Sequence, residues 1–459
     1  MLVDSLALDN IRCFRRQVLD FARDAKLRRD SPHRWVTLLG ENGAGKSTVL
    51  QALALLLAGP DAATELLPRP DGWVRDPARV GRLATTLYGE WEDGGMAALI
   101  DHSNHPTGRG DVTLSYSMTG ASPLKVGRET YTEPVLIEQR SRTLSWLRAN
   151  AFAAGAPGWF AAGYGPFRRL PRVDGILVPS LTLDPPTRAS GFATLFDEDR
   201  ALNTFDRWMV SLDYRIAKNP NDDTAHWMRA VGETAIAELL PKNARILDVS
   251  FDGAARFRID GQVVPRAGLS DGYRSIVAFA GDLIWRLMQA YPGLDDPTRA
   301  PGVVLIDELD AHLHPSWQRQ IAGWLRATFP RLQFFVATHS PLIAIGAGED
   351  ACTLHLEMVE GETRVTPIDD LSAYDVDHAL RSPAFGLEST HSPATDDKLR
   401  RYHELRSRIV ASDVPLTARE REEYADIELF MRQARPVGGP PEPGSLEARM
   451  EAYLESVLS

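Results

Sequence analysis

A glycine-rich stretch that ends in a lysine and two hydroxyl residues carries the clearest chemistry in the sequence. It fits the pattern G-x-x-x-x-G-K-[ST]. Glycines let backbone N–H groups curl around an anion, the lysine reaches the β- and γ-phosphates, and the next hydroxyl binds Mg²⁺. The sequence therefore predicts a site for ATP and Mg²⁺, with Ser47 as a metal ligand. The predicted nucleotide ligands are Gly40, Asn42, Gly43, Gly45, Lys46, Ser47 and Thr48.

The segments on either side of this loop have the composition that a phosphate-binding loop needs. The apolar run 35–39 predicts a strand before the loop, and 49–57 predicts a helix after it. A helix that begins beside phosphates aims the positive end of its dipole at them. The alternative is a glycine-rich turn with a surface lysine, and the strand–turn–helix context disfavours it.

Two later apolar runs end in polar residues that suit phosphate chemistry. Four apolar residues precede Asp307 and Glu308, and a second apolar run precedes Thr338 and His339. In an open α/β sheet, ligands bind at the carboxyl ends of the strands. We predict that Asp307 holds Mg²⁺, that Glu308 is the general base for water, and that His339 hydrogen-bonds the transferring phosphate. With Lys46, Glu308 and His339 form the predicted catalytic set; helix-capping acids and a structural histidine are the alternatives.

Composition bounds the class of protein. The 459 residues carry a formal net charge of -11 and include 2 cysteines. So few cysteines exclude a disulfide framework and a cysteine-based zinc site, and they predict a reducing, cytoplasmic location. The N-terminus lacks a signal-peptide pattern and the apolar runs are shorter than the roughly 20 residues of a membrane span, so we predict no membrane partner. The acidic balance excludes a uniformly basic nucleic-acid coat but permits a local basic strip.

Hydrophobic patterns predict the elements that position these residues. Residues 6–8 and 18–21 are expected to form two strands that begin the same sheet as the phosphate-loop strand. Broken alternating runs over 59–130 predict antiparallel strands at an edge. Helical patterns cover much of 205–240, where the spacing of Trp and Met indicates core packing, and a hairpin is expected over 245–264.

A serine–glycine turn before the Asp-Glu strand decides the wider interpretation. Leu269-Ser270-Asp271-Gly272-Tyr273-Arg274 precedes an apolar helix, and alone it would be only a helix cap. In this position the sequence resembles the ATP-binding cassette (ABC) superfamily, in which a Leu-Ser-Gly-Gly-like signature precedes the Walker B strand and a switch histidine follows it. The resemblance implies an α/β fold, the ABC-type P-loop ATPase head, with a mixed sheet and a helical lobe.

The same resemblance implies a dimer in which two copies sandwich two ATP molecules head to tail. Ser270 and Gly272 of one copy would contact the γ-phosphate held by the other. Leu309-Asp310-Ala311-His312-Leu313-His314-Pro315 resembles the D-loop that crosses such an interface, with Asp310 as a nucleotide-site residue. A homodimer or higher even oligomer is therefore expected.

Within the superfamily, the Asp-Gly-Tyr-Arg signature and the Thr338-His339-Ser340-Pro341 segment resemble the branch of SMC, RecF and OLD-type ATPases. The short, arm-poor pattern, without a Toprim-like acidic pattern after residue 370, resembles ATPase subunits of prokaryotic defence systems such as Septu. That resemblance implies DNA and a separate nuclease or effector as partners. The alternatives are a RecF-type repair ATPase, a slow-hydrolysing regulatory assembly ATPase and, disfavoured by the signature variant, a transporter subunit.

On this interpretation the chain has four parts. Residues 1–170 form an N-terminal ATPase lobe with Walker A, and 171–265 form a mainly helical insertion. Residues 266–370 form a second ATPase lobe with the signature, Walker B, D-loop and switch histidine. Polar, charged helical patterns over 371–459 predict a C-terminal helical extension.

A few polar residues have alternative interpretations. The candidate for the Q-loop glutamine that would help hold Mg²⁺ is Gln139, and the Tyr164-Gly165-Pro166 turn is the alternative location of the Q-loop. Solvated loop positions are expected for Arg168, Arg169 and Arg172, with nucleotide or DNA contact as the alternative. The arginine-rich stretch 12–34 is more consistent with a solvated hairpin than with a DNA-contact strip.

Overall fold

The chain folds into two compact units, Met1–Gly386 and Leu387–Ser459. The first unit contains every motif residue named above. The predicted four-part division, which splits this unit further, stays a prediction. The computed structural model describes residues 1–23, 32–89, 110–127, 129–139, 141–153, 159–168, 186–198, 200, 202, 204–241, 244–249, 255–411 and 416–433.

The first unit contains both strands and helices, and the described part of the second unit contains helices. The strands are β1 (Leu2–Ile11), β2 (Phe14–Asp20), β3 (Trp35–Gly40), β4 (Gly81–Gly89), β5 (Gly110–Met118), β6 (Leu124–Val126), β7 (Glu129–Tyr131), β8 (Leu136–Glu138), β9 (Ala161–Tyr164), β10 (Ala244–Val249), β11 (Ala255–Ile259), β12 (Gln262–Pro265), β13 (Gly302–Ile306), β14 (Leu332–Ala337), β15 (Cys352–Val359) and β16 (Glu362–Ile368). The helices are α1 (Lys46–Ala58), α2 (Pro60–Leu66), α3 (Arg142–Asn150), α4 (Thr204–Lys218), α5 (Asp223–Leu239), α6 (Asp271–Ala290), α7 (Pro315–Thr328), α8 (Pro341–Gly346), α9 (Val376–Arg381), α10 (Pro393–Ala411) and α11 (Ala418–Gln433).

A six-stranded sheet in the order β16-β15-β3-β14-β13-β9 positions the motifs. Its strands are parallel except for β16, which runs antiparallel to β15. Val303 and Leu305 of β13 lie in one core cluster with α1, and Val304 and Ile306 lie in a second with α6. Because both faces of the sheet are covered, β13 and β14 are buried at every position instead of at alternate ones. The two apolar runs that precede Asp307 and Thr338 form β13 and β14, which pair in parallel.

A separate antiparallel sheet has the order β2-β1-β4-β5-β8. The prediction that the N-terminal strands share a sheet with the phosphate-loop strand is wrong. Strand β1 uses its two edges for β2 and β4, while β3 uses its edges for β14 and β15, so no edge is left to join them. The antiparallel strands expected within 59–130 are confirmed, although β4 and β5 lie inside the sheet and not at its edge.

The helical segment before the signature packs as the sequence predicts. Trp208 and Met209 of α4 are buried, and the indole of Trp208 stacks on that of Trp285 with centroids 6.2 Å apart. The expected hairpin is present as β10 and β11, with its turn outside the described residues, and β12 adds a third strand.

The second unit confirms the polar helical segments expected there. Helices α10 and α11 are joined by the stacked rings of Tyr402 and Tyr424 and by a salt bridge from Arg401 to Glu423. Among the described residues, every helix is too short or too polar to cross a bilayer.

Candidate active site

The glycine-rich loop connects β3 to α1. Gly45 directly precedes α1 with a φ of 97°, in the left-handed region that favours glycine. A Cβ atom at Gly45 would also lie 2.6 Å from the Sγ atom of Cys13, so a side chain has no room there. Strand, turn and helix therefore follow one another as this loop requires.

Lys46 is held inside this loop. Its side chain is 6% exposed, and its Nζ atom donates to the carbonyl oxygens of Gly40 at 2.8 Å and Glu41 at 3.0 Å. Burial lowers the pKa of Lys46, and the carboxylates of Asp307 and Glu308 oppose that shift. The ammonium group is thus placed where an oxyanion can replace the two carbonyl oxygens.

Asp307 follows the last residue of β13 and is buried. Ser47 donates a hydrogen bond to its carboxylate, and burial raises the pKa of Asp307. Its Oδ1 atom has no hydrogen-bond partner among the residues the structure describes. A buried carboxylate oxygen that lacks a donor suits a bound cation, so Ser47 and Asp307 fit a Mg²⁺ ion.

The next residue, Glu308, has a φ of 47°, a left-handed conformation that is uncommon outside glycine. The Arg168 guanidinium lies beneath this turn. It donates to the carbonyl oxygens of Asp307 at 2.6 Å, Glu308 at 2.9 Å and Gly165 at 3.0 Å. Arg168 is 2% exposed, and burial lowers its pKa to about 10. The expectation of a solvated Arg168 is therefore wrong, because backbone carbonyls of a distant strand end provide its partners; Arg169 and Arg172 lie outside the described residues.

Asp310 and His339 meet at the ends of β13 and β14. The Oδ1 atom of Asp310 accepts a hydrogen bond from the Thr338 hydroxyl at 2.5 Å and another from the His339 N–H at 3.4 Å. The His339 side chain is half-buried, and burial, followed by the nearby Lys46 charge, lowers its pKa. The imidazole is accordingly neutral near pH 7.

The signature segment begins α6. Ser270 is exposed at the N-cap position, and its side chain makes no capping hydrogen bond. Gly272 is buried, and a Cβ atom there would lie 2.8 Å from the carbonyl oxygen of His312 in the D-loop segment. Tyr273 packs edge-on against Trp317 with ring centroids 4.7 Å apart. The signature and the D-loop segment of one chain are therefore in direct contact.

Two parts of the chain match models of AAA domain families. Residues 188–345 match the family described as AAA domain, putative AbiEii toxin, Type IV TA system, and residues 5–86 match a second AAA domain family. These two matches include the glycine-rich loop, Ser270, Asp307 and His339. The chain has the fold of an ABC-type P-loop ATPase head.

Relatives of this ATPase head occur in defence systems. Septu protein PtuA of Bacillus mycoides (strain KBAB4) is 26% identical over 438 residues, which is 95% of this chain and 51% of the relative. The Retron Vc95 probable ATPase of Vibrio cholerae serotype O1 biovar El Tor is 43% identical over 84 residues, 18% of this chain and 16% of the relative. The chain thus spans about half the length of the PtuA relative. The predicted resemblance to ATPases of defence systems such as Septu is confirmed.

Among solved structures, the Smc head domain with an extended coiled coil, bound to the C-terminal domain of ScpA and derived from Pyrococcus furiosus, is similar to this ATPase head. The TM-score is 0.46 at 16% identity, and the match covers 83% of this chain and 100% of that one.

The two candidate positions of the Q-loop, Gln139 and the Tyr164 turn, lie in different parts of the fold. Gln139 hydrogen-bonds Ser115 and Ser117 of the antiparallel sheet, whereas the carbonyl of Tyr164 accepts from the Asp307 N–H at 2.8 Å. The Q-loop therefore stays a prediction, with the Tyr164 turn beside Walker B.

The expectation of a solvated hairpin is wrong for Arg12. Its guanidinium lies 4.1 Å from the ring centroid of Trp73 and donates to the side chains of Gln51 at 2.8 Å and Thr48 at 3.3 Å. No local signal predicts this, because the partners come from α1 and from the segment before β4. Its neighbour Arg15 is exposed, as expected.

The lowered pKa of His339 makes stability depend on pH in a defined direction. The unfolded chain takes up a proton near the ordinary pKa of 6.5, whereas the folded ATPase head resists protonation until a lower pH. The melting temperature should therefore fall as pH drops through about 6.5. We expect wild type to lose more melting temperature than His339→Gln between about pH 7.5 and 5.5. Equal losses would contradict this, since all other titrating groups are shared.

Proposed function

We propose that the chain binds ATP with Mg²⁺ and hydrolyses it, and that ATP joins two copies head to tail. The observation that supports this most strongly is the buried group of Lys46 and Asp307, with Ser47 hydrogen-bonded to the carboxylate. One carboxylate oxygen in that group lacks a partner among the described residues. A buried lysine near an under-bonded carboxylate, across a glycine-rich turn, suits a metal–phosphate pair between them.

Each motif residue has one part in the proposed reaction. Lys46 would pair with the β- and γ-phosphates while the loop N–H groups cradle them. Mg²⁺, held by Ser47 and Asp307, would neutralise charge on those phosphates. Glu308 would accept a proton from the attacking water, and neutral His339 would hydrogen-bond the γ-phosphate.

The proposal of a dimer is based on the exposed, uncapped serine at the start of the signature helix. Ser270 is exposed and its side chain makes no capping hydrogen bond. It stands at the N-terminus of α6, a helix of 20 residues. A helix N-terminus with a free serine hydroxyl is suited to an anion. We propose that Ser270 and Gly272 bind the γ-phosphate held by a second copy, with Asp310 in the segment between the copies.

A role in antiphage defence is proposed from similarity to proteins named Septu PtuA and retron ATPase. In this role the chain would act in the cytoplasm as an ATP-driven switch on DNA, on a separate nuclease, or on both. The proposed dimer supports a switch, because ATP would join the two copies and hydrolysis would limit the lifetime of that joined state.

Ser270→Arg tests the proposed dimer. A bulky cation at the signature should lower turnover by about 100-fold or more, as loss of an oxyanion donor does, and leave ATP affinity within about threefold of wild type. Ser407→Arg, at an exposed serine of α10, is the matched control. Equal loss of affinity and turnover would instead assign Ser270 to the nucleotide site of its own chain.

A mixing experiment sharpens this test. Lys46→Ala and Ser270→Arg are each expected to be inactive, but a mixed dimer has one site with an intact loop and an intact signature. Random pairing should restore about a quarter of wild-type turnover. A mixture as inactive as its components would overturn the head-to-tail arrangement.

A further inference from the structure

We propose that Arg168 is a positioning residue that clamps the backbone of Asp307 and Glu308, so that the Glu308 carboxylate is aimed at the reacting water. The catalytic part of this inference rests on the proposed hydrolysis. The clamp itself concerns the folded chain without nucleotide.

The first support is the identity of the partners of Arg168. The guanidinium donates to two successive carbonyl oxygens, those of Asp307 and Glu308, and to that of Gly165 in the turn after β9. Along the sequence, Asp307 and Glu308 are 139 and 140 residues from Arg168, whereas Gly165 is 3 residues from it. A planar fork with several donors can bind such a set at once, whereas a lysine ammonium cannot match its geometry.

The second support is the backbone that Arg168 holds. Glu308 has a φ of 47°, and such a residue persists only when its surroundings fix it. The N–H of Asp307 donates to Tyr164 at 2.8 Å and the N–H of Leu309 donates to Ala337 at 3.2 Å. Strand neighbours thus hold the amides before and after Glu308, while Arg168 holds the carbonyls.

The third support is charge. Arg168 lies among Asp307, Glu308 and Asp310, whose charges favour its protonated form against the effect of burial. Arg168 bonds the backbone carbonyls of Asp307 and Glu308, and the Oδ1 atom of Asp307 has no donor among the described residues. The cation therefore stabilises the acidic corner without occupying the oxygen that a metal would use.

Hydrogen–deuterium exchange of a peptide covering 307–311, without nucleotide, tests the clamp. In Arg168→Met the peptide should exchange faster than in wild type, because the carbonyls lose their donor. Arg188→Met is the matched control. Arg188 also donates to a backbone carbonyl, that of the buried residue Ala151, and burial also lowers the pKa of Arg188 to about 10. It should leave exchange in 307–311 unchanged.

Kinetics test the catalytic part. Arg168→Met should lower kcat by about 100-fold, the effect of a small displacement of a catalytic group, with KM and ATP affinity within about threefold of wild type. Arg168→Lys, which keeps the charge and part of the donor set, should show the same changes to a smaller extent. It also serves if the methionine variant does not fold.

The two proposals fail separately. Unchanged exchange in both Arg168 variants overturns the clamp, whether or not the chain hydrolyses ATP. Faster exchange with unchanged kcat overturns its catalytic part. A wild-type chain without turnover overturns the proposed hydrolysis and that catalytic part with it, while the exchange result still decides the clamp.

Discussion

Lys46→Ala is expected to lower ATP affinity by about 100-fold or more, because removing one partner of a buried charge pair costs about 3–5 kcal/mol. Lys46 is 6% exposed, so water cannot replace its ammonium beside the phosphates. The variant also leaves the carbonyls of Gly40 and Glu41 without their donor. Calorimetric titration with ATP and Mg²⁺ is the measurement.

Lys218→Ala, at an exposed lysine that ends α4, is the control for this experiment. It should bind ATP like wild type. Unchanged affinity in Lys46→Ala would overturn the assignment of the glycine-rich loop to phosphate, and with it the role of every residue from 40 to 48.

Glu308→Gln should retain ATP binding and lower turnover by about 100- to 10,000-fold, the usual contribution of a general base. The amide has the shape of the carboxylate but cannot take up a proton. Phosphate release in a single turnover measures the loss. Glu349→Gln, at an exposed glutamate, is the control and should turn over normally.

The same variant should accumulate an ATP-bound dimer. Sizing with and without ATP and Mg²⁺ should show a doubled mass only with nucleotide, and an unchanged mass would count against the dimer. This trapped form also suits a DNA test. If duplex binding is part of the function, it should weaken steeply between roughly 50 and 200 mM salt.

The sequence predicted the parts of this molecule in which local pattern and chemistry agree. The strands before Lys46, Asp307 and His339 are apolar runs that end in polar residues, and the sheet brings their ends together. In contrast, β15 and β16 were not predicted. Strand β15 owes its place beside β3 to pairing across more than 300 residues, which no local pattern encodes.

Arg168 was missed for a similar reason. In the sequence it is an arginine after a Gly-Pro turn, and such residues are usually solvated. Its partners are the carbonyl oxygens of Asp307 and Glu308, which lie at a turn where Glu308 has a left-handed φ. Backbone conformation of this kind, outside glycine, has no residue signature that could be used in advance.

The close approach of Gly272 to the carbonyl of His312 would couple the two nucleotide sites of a dimer. That carbonyl belongs to the turn carrying Asp310, which in turn bonds Thr338 and the N–H of His339. In a head-to-tail pair, the start of α6 would touch the opposite nucleotide while being tied to its own switch histidine. Release of phosphate at one site would then change the contacts of His339 at the other site. The two sites of the dimer would therefore hydrolyse ATP in alternation.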